Sequence, residues 1–153
     1  MASSRKPLTP DQKSRDLQRE LRSLEKEESG PDRAADLATL ARAAHEDRQL
    51  NLAMRAAELC LEDDPDAPTL LVDAYRSTPE GEEQLAAMTD LRDLARYLDR
   101  QDIVSIADEG IVEVARAWVA AGEEGERRYR LRTVQSLTSR ELADDLRDEL
   151  GVT

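Results

Sequence analysis

Short clusters of Pro, Gly and Asp cut this chain into stretches of roughly ten to twenty residues, and inside each stretch Leu and Ala recur at three- and four-residue intervals. That period belongs to an amphipathic α-helix, since a half-buried strand would alternate every second residue. The residue inventory agrees. There are 21 Leu and 21 Ala, no Phe, one Trp and three Tyr, so the β-branched and aromatic residues that a sandwich or barrel needs are scarce. No window approaches 18 apolar residues, which excludes a membrane span in the sequence as read. The expectation is an all-α fold, a single-domain bundle of six to eight helices, with a disordered tail at 1–7, an amphipathic helix at 8–29 and a helical core domain at 30–153.

The individual helices are marked at their ends. Thr9-Pro10-Asp11-Gln12 carries a hydroxyl cap, Pro at the first helical position and Gln at the third, which predicts a helix running to about Glu28 with Leu17, Leu21 and Leu24 on one narrow stripe. Such a stripe suits packing on the protein body, or docking on a partner or a second copy. A second helix is expected over about Arg33–Glu46 and a third over about Gln49–Glu62. A short fourth covers Thr69–Arg76, and a fifth starts at Thr78-Pro79-Glu80 and reaches about Asp99. The sixth, about Asp102–Ala121, is apolar over more than half its circumference and reads as the central helix. Thr138-Ser139-Arg140-Glu141 forms a second capping box before a last helix stopped by Gly151. Between them, Tyr129, Leu131 and Thr133 alternate with Arg128, Arg130 and Arg132 in a strand-like way. A lone strand would lack a partner, so a helix continuing from Glu123 is the expectation.

Charge narrows the partners. With 34 acids against 22 bases the net charge is −12, which repels nucleic acid and anionic lipid at long range. Nineteen of the bases are Arg and only three are Lys, a pattern that coding bias or adaptation to high salt would each produce. The single Cys60 forbids an internal disulfide, and the amino-terminal residues lack the apolar core of a secretory signal, so a cytoplasmic setting is expected.

Little in the sequence points to catalysis. His45, the only histidine, stands beside Glu46 and Asp47 near a helix end, where a capping imidazolium is the simpler reading than a general base. Cys60 reads as a buried small hydrophobe. One His and one Cys do not make a transition-metal site. Asp63, Asp64 and Asp66 lack the calcium-loop spacing and read as a solvated turn. Gly122-Glu123-Glu124-Gly125 is too acidic to cradle phosphate. No enzyme activity, cofactor, metal or small-molecule ligand is expected.

Residues 34–67 resemble one tetratricopeptide (TPR) unit, a helix–turn–helix repeat of about 34 residues. Leu40 and Ala41 fall at the Leu and small position of the first helix, Leu50 at the apolar turn position and Ala53 where the helices cross. Cys60 stands where a small residue is usual, and Pro65 where a Pro closes the unit. Leu37, Ala44 and Ala57 replace the usual aromatics, and the next 34 residues do not repeat the pattern. The fold is therefore expected to be either a short TPR-like stack of hairpins or an unrelated helical bundle. The resemblance implies that the inner face of the first helix, with Arg42, His45 and Glu46 at the matching exposed positions, contacts a peptide.

A basic island in the acidic chain is the other cue. Arg127, Arg128, Tyr129, Arg130 and Arg132 set four guanidiniums around one aromatic ring. They would neutralise the protein's own acids, within the chain or between copies, with Glu123, Glu124 and Glu126 just before and Asp144, Asp145 and Asp148 just after. Alternatively they would grip an acidic partner protein, or bind phosphates and a stacked base. Taken together, the sequence predicts a non-enzymatic protein–protein interaction module, with a small regulatory nucleic-acid-associated protein as the alternative.

Overall fold

The computed structural model describes residues 10–152, so the expected tail at 1–7 and the Thr9 cap lie outside the described residues. Among those described the chain is all-α, with eight helices and no strand. They are α1 (Pro10–Glu25), α2 (Pro31–Glu46), α3 (Leu50–Asp63), α4 (Ala67–Arg76), α5 (Glu82–Tyr97), α6 (Gln101–Ala121), α7 (Glu124–Leu137) and α8 (Arg140–Leu150). The segment 127–134 is helical, and its arginines therefore spread around a helix instead of sharing one strand face. No helix among the described residues is long and apolar enough to cross a membrane.

The chain divides into two compact units, Met1–Leu71 and Val72–Thr153, with the division inside α4. In the first, α1 rests on α2 and α3. Leu21 and Leu24 are buried within their own unit, while Leu17, the first residue of the stripe, is half-buried. Helix α1 ends at Glu25, short of the expected Glu28. The guanidinium of Arg33 takes the carbonyls of Leu24 (3.2 Å) and Glu27 (3.0 Å) as the chain turns into α2. Helices α2 and α3 meet through small side chains. Ala34, Ala38, Ala41 and Ala44 on one and Ala53, Ala56, Ala57 and Cys60 on the other are fully or almost fully buried, which lets the two backbones approach closely.

In the second unit α6 packs against α5, α7 and α8. It is the hub of that unit and not of the whole chain, because the first unit builds its own core on α2 and α3. Its apolar surface is also incompletely covered, with Ile106 39% exposed. As α1 rests on both helices of the first hairpin, α7 rests on both helices of the second.

The two hairpins are equivalent at a constant offset of 51 residues. Gly30 and Gly81 are the N-caps of α2 and α5, each of 16 residues. Both hairpins turn through one residue in the left-handed region, Arg48 (φ 59°) and Asp99 (φ 55°). The same long backbone bond closes each turn, from Gln49 to Ala44 (2.8 Å) and from Arg100 to Ala95 (2.9 Å). Six buried pairs stand at this offset: Leu37 with Met88, Leu40 with Leu91, Ala44 with Ala95, Leu52 with Ile103, Ala56 with Ala107 and Cys60 with Ile111, whereas buried Ala57 falls at exposed Asp108. The offset between the two hairpins is 51 residues.

Two expected helix starts move. The Thr78-Pro79-Glu80 signal does not open α5, which begins at Glu82 after Gly81. Thr78 is buried and its hydroxyl donates to the carbonyl of Tyr75 at 2.6 Å, so it closes α4. The cap of α8 is Ser139, whose Oγ accepts from the amide of Leu142 at 3.1 Å. Thr138 instead donates back to the carbonyl of Val134, ending α7. The expected capping box is thus displaced by one residue, and Glu141 does not stand at its reciprocal position.

Candidate functional site

The basic segment lies on α7, and the helix divides it between two tasks. Arg127 and Arg130 are three residues apart and share a face. Arg127 donates from Nε to the carbonyl of Gly122 (2.9 Å) and from Nη2 to that of Ala120 (3.1 Å). Arg130 donates from Nη1 to the carbonyl of Trp118 (2.5 Å) and from Nη2 to Glu126 (3.0 Å), while its guanidinium lies 5.4 Å from the Trp118 ring centroid. The two side chains therefore cover the last carbonyls of α6, where the helix dipole is negative and backbone acceptors have no intrahelical donor. Gly122 leaves room for this, since a Cβ there would come within 3.1 Å of the Arg130 guanidinium.

Arg128, Tyr129 and Arg132 face outward. All three are exposed, Tyr129 at 61%. Arg128 and Arg132 are one turn apart, and Tyr129 precedes Arg132 by three, so they form one contiguous patch on the helix surface. Arg132 has no ion pair among the described residues. Of the acids expected to neutralise the segment, Glu126 pairs with Arg130, while Asp144 is engaged elsewhere. Asp144 lies 3.2 Å from Arg147 and 3.9 Å from Arg140, both in its own helix α8.

In the first unit, Arg42, His45 and Glu46 occupy the last turns of α2. Arg42 Nη1 lies 3.5 Å from Glu46 Oε1, an ion pair within the helix. His45 is half-buried. A cleft of about 320 Å³ opens beside them, lined by Lys13, Asp16, Leu17 and Glu20 of α1 and by Ala43, Glu46 and Asp47. Glu46 lines it, whereas Arg42 and His45 do not, so the three positions do not converge on one pocket.

Among the described residues no three His, Cys, Asp or Glu side chains gather where they would hold a metal ion. Asp63 is not the solvated acid the sequence suggested. Its side chain is only 1% exposed and forms a two-point pair with Arg33. Arg33 was not singled out in the sequence because its partner stands thirty residues away. Asp64 accepts from the amide of Asp66 at 2.8 Å, which shapes the turn.

Cys60 is buried, and its thiol donates to the carbonyl of Ala34 at 3.1 Å. Burial, helped by Asp63 and Asp64, pushes the thiol up to about 12. At neutral pH it is a neutral thiol and not a nucleophile. Native protein is expected to resist thiol reagents at pH 8 and to label fully once denatured, which mass spectrometry reads directly. Rapid labelling of the native chain would contradict the burial. The raised value also sets a sign: stability is complete below the ordinary thiol value. It declines as pH rises through the window up to about 12, because the unfolded thiol ionises first.

Compared with protein-family models, with curated protein sequences and with solved structures, the chain matches none.

Proposed function

We propose that this protein is a non-enzymatic protein–protein interaction module of the cytoplasm, built from helical hairpins, and that it meets its partner through the outward face of α7. One observation carries the reading. On a chain of net charge −12, Arg128, Tyr129 and Arg132 stand together and exposed, while the neighbouring Arg127 and Arg130 are committed to the end of α6. Arg and Tyr are the side chains that supply binding energy at protein interfaces, through planar charge-assisted hydrogen bonds and a rigid amphipathic ring. Arg42, His45 and Glu46 form a second candidate contact, the one a TPR-like hairpin would use, and the partner is another protein or a second copy.

The experiment is affinity purification of tagged protein from its native cell. Wild type is expected to retain a partner protein, and Arg128→Glu with Arg132→Glu is expected to lose it without loss of fold. Retention of no protein would overturn the reading. The exposed Tyr129 ring favours one competing view, since a single-stranded base would stack on it while the arginines hold phosphates. Salt-sensitive retention of RNA or DNA in place of protein, abolished by the same substitutions, would support that alternative.

A further inference from the structure

Between the start of α5 and the second half of α6, the second unit leaves a groove of about 370 Å³. Val114, Ala117, Trp118 and Ala121 form its apolar side, and Glu80 is part of its polar lining. We infer that this groove docks a basic amphipathic segment of a partner protein, with an apolar side chain beside Trp118 and Lys or Arg side chains on the neighbouring glutamates.

The groove is open because of three side chains. At the 51-residue offset the first hairpin carries Arg33, Asp63 and Asp66 where the second carries Gln84, Val114 and Ala117. Arg33 fills the equivalent corner, reaching Asp63 and two carbonyls at the end of α1. Gln84 is shorter and donates to the carbonyl of Arg76 at 3.0 Å, while Val114 and Ala117 supply no acceptor side chain. The guanidinium that the first hairpin provides for itself is thus missing from the second, and room for an incoming cationic chain remains.

Charge fits such an occupant. Glu80, Glu82 and Glu83 are exposed around Gly81, and none has an ion pair among the described residues. The dipole of α5 accounts for Glu82 and Glu83 in its first turn, but not for Glu80 or for the apolar wall. The arginines at the groove add no free charge: Arg76 in its lining pairs with Glu113 at 2.6 Å, and Arg130 against Trp118 pairs with Glu126 at 3.0 Å. Residues 72–153 carry 19 acids against 11 bases. The long-range field therefore draws a basic partner in and repels an acidic protein and a polynucleotide alike.

Trp118 is a prepared anchor. It is half-buried, Arg130 donates to its carbonyl, and that guanidinium lies 5.4 Å from the ring centroid, so the ring is held before a partner arrives. Gly81 keeps the indole edge clear, since a Cβ there would come within 3.3 Å of Nε1. Ala117 and Ala121, exposed one turn apart on α6, let a partner backbone approach closely. Interface energy concentrates on aromatic anchors of this kind. The groove is separate from the outward face of α7, and binding there does not require a partner on that face.

Trp118 is the only tryptophan, so its emission reports on the groove directly. The full chain is titrated with a short amphipathic Lys/Leu peptide, a Lys/Gly peptide, a Glu/Leu peptide and a single-stranded oligonucleotide. The Lys/Leu peptide is expected to shift Trp118 emission saturably, with affinity falling as salt rises, and the other three to leave it unchanged. Glu80→Gln with Glu83→Gln is expected to weaken the Lys/Leu peptide about tenfold, and Ala117→Arg, which fills the groove and adds a like charge, at least as much. Asp32→Asn with Asp36→Asn removes two exposed carboxylates from the first unit and is expected to change nothing. Ala117 is exposed, so its variant keeps the test valid if the glutamate pair is needed for folding. The inference is overturned if the Lys/Leu peptide leaves the emission unchanged or if the Glu/Leu peptide binds as well. It is equally overturned if the groove variants keep wild-type affinity, or if the first-unit pair weakens binding as much as they do.

Discussion

Replacing Arg33 with Met is expected to lower the stability of the folded chain by about 3–5 kcal/mol, as for other broken buried ion pairs. The two side chains are 8% and 1% exposed, and Nε and Nη2 of Arg33 meet both oxygens of Asp63 at 2.5 and 2.8 Å. Asp63 in turn holds the guanidinium more firmly in its charged form. Nη1 meanwhile holds two carbonyls at the end of α1, so one side chain fastens α1, α2 and α3 together. Met would preserve the stem and strand the Asp63 carboxylate without a partner. The double variant Arg33→Met with Asp63→Leu is expected to regain much of the loss, because it removes the orphaned charge as well. Urea unfolding of the four proteins reads the cycle. Equal stability of the single variant and wild type would show that the pair contributes nothing.

The second large effect is expected from Gly110→Leu, which writes into the second hairpin the residue that the first carries at the equivalent position, Leu59. A Cβ on Gly110 would lie 2.6 Å from Met88 Cε, the mobile end of a flexible side chain, so the cost arises because Met88 is fully buried and the added leucine bulk competes for the space it fills. Overpacking of this kind costs about 1–3 kcal/mol, and losing a mid-helix glycine returns about 1 kcal/mol, so the net loss is expected to reach at most about 2 kcal/mol. Met88→Ala in the same chain opens the space and is expected to recover part of it. If Gly110→Leu alone stabilises the protein, the packing assigned to this pair is wrong. The compensation explains how one backbone hairpin is built twice from different side chains: Met88 fills what Gly110 leaves open.

This is also why the repeat was invisible in the sequence. Equivalent positions share turn geometry and much of the burial but not identity. Arg33 stands opposite Gln84, Ala38 opposite Thr89 and Leu59 opposite Gly110. The helices themselves were legible, because the Leu and Ala spacing and the Pro and Gly breaks act locally. The Thr78-Pro79 start misled because a hydroxyl that caps a following helix equally well closes the one before it. The basic island on α7 was legible as composition. Its spacing already separates Arg127 and Arg130 from Arg128 and Arg132, but which pair turns toward α6 depends on a helix end that the local sequence does not reveal. The groove beside Trp118 could not be read from spacing, since only the packing of α5 on α6 brings Gln84 and Ala117 to one place.

The division of labour on α7 is the central claim, and one comparison tests it. Partner retention is measured for Arg128→Gln with Arg132→Gln and for Arg127→Gln with Arg130→Gln, each with its thermal midpoint. The outward pair is expected to keep the wild-type midpoint and lose the partner. The inward pair, which gives up hydrogen bonds to the α6 carbonyls, is expected to melt earlier by about 1–3 kcal/mol of stability and, below its melting point, to retain the partner. An outward pair that is fully folded and still holds its partner as wild type does would contradict the account.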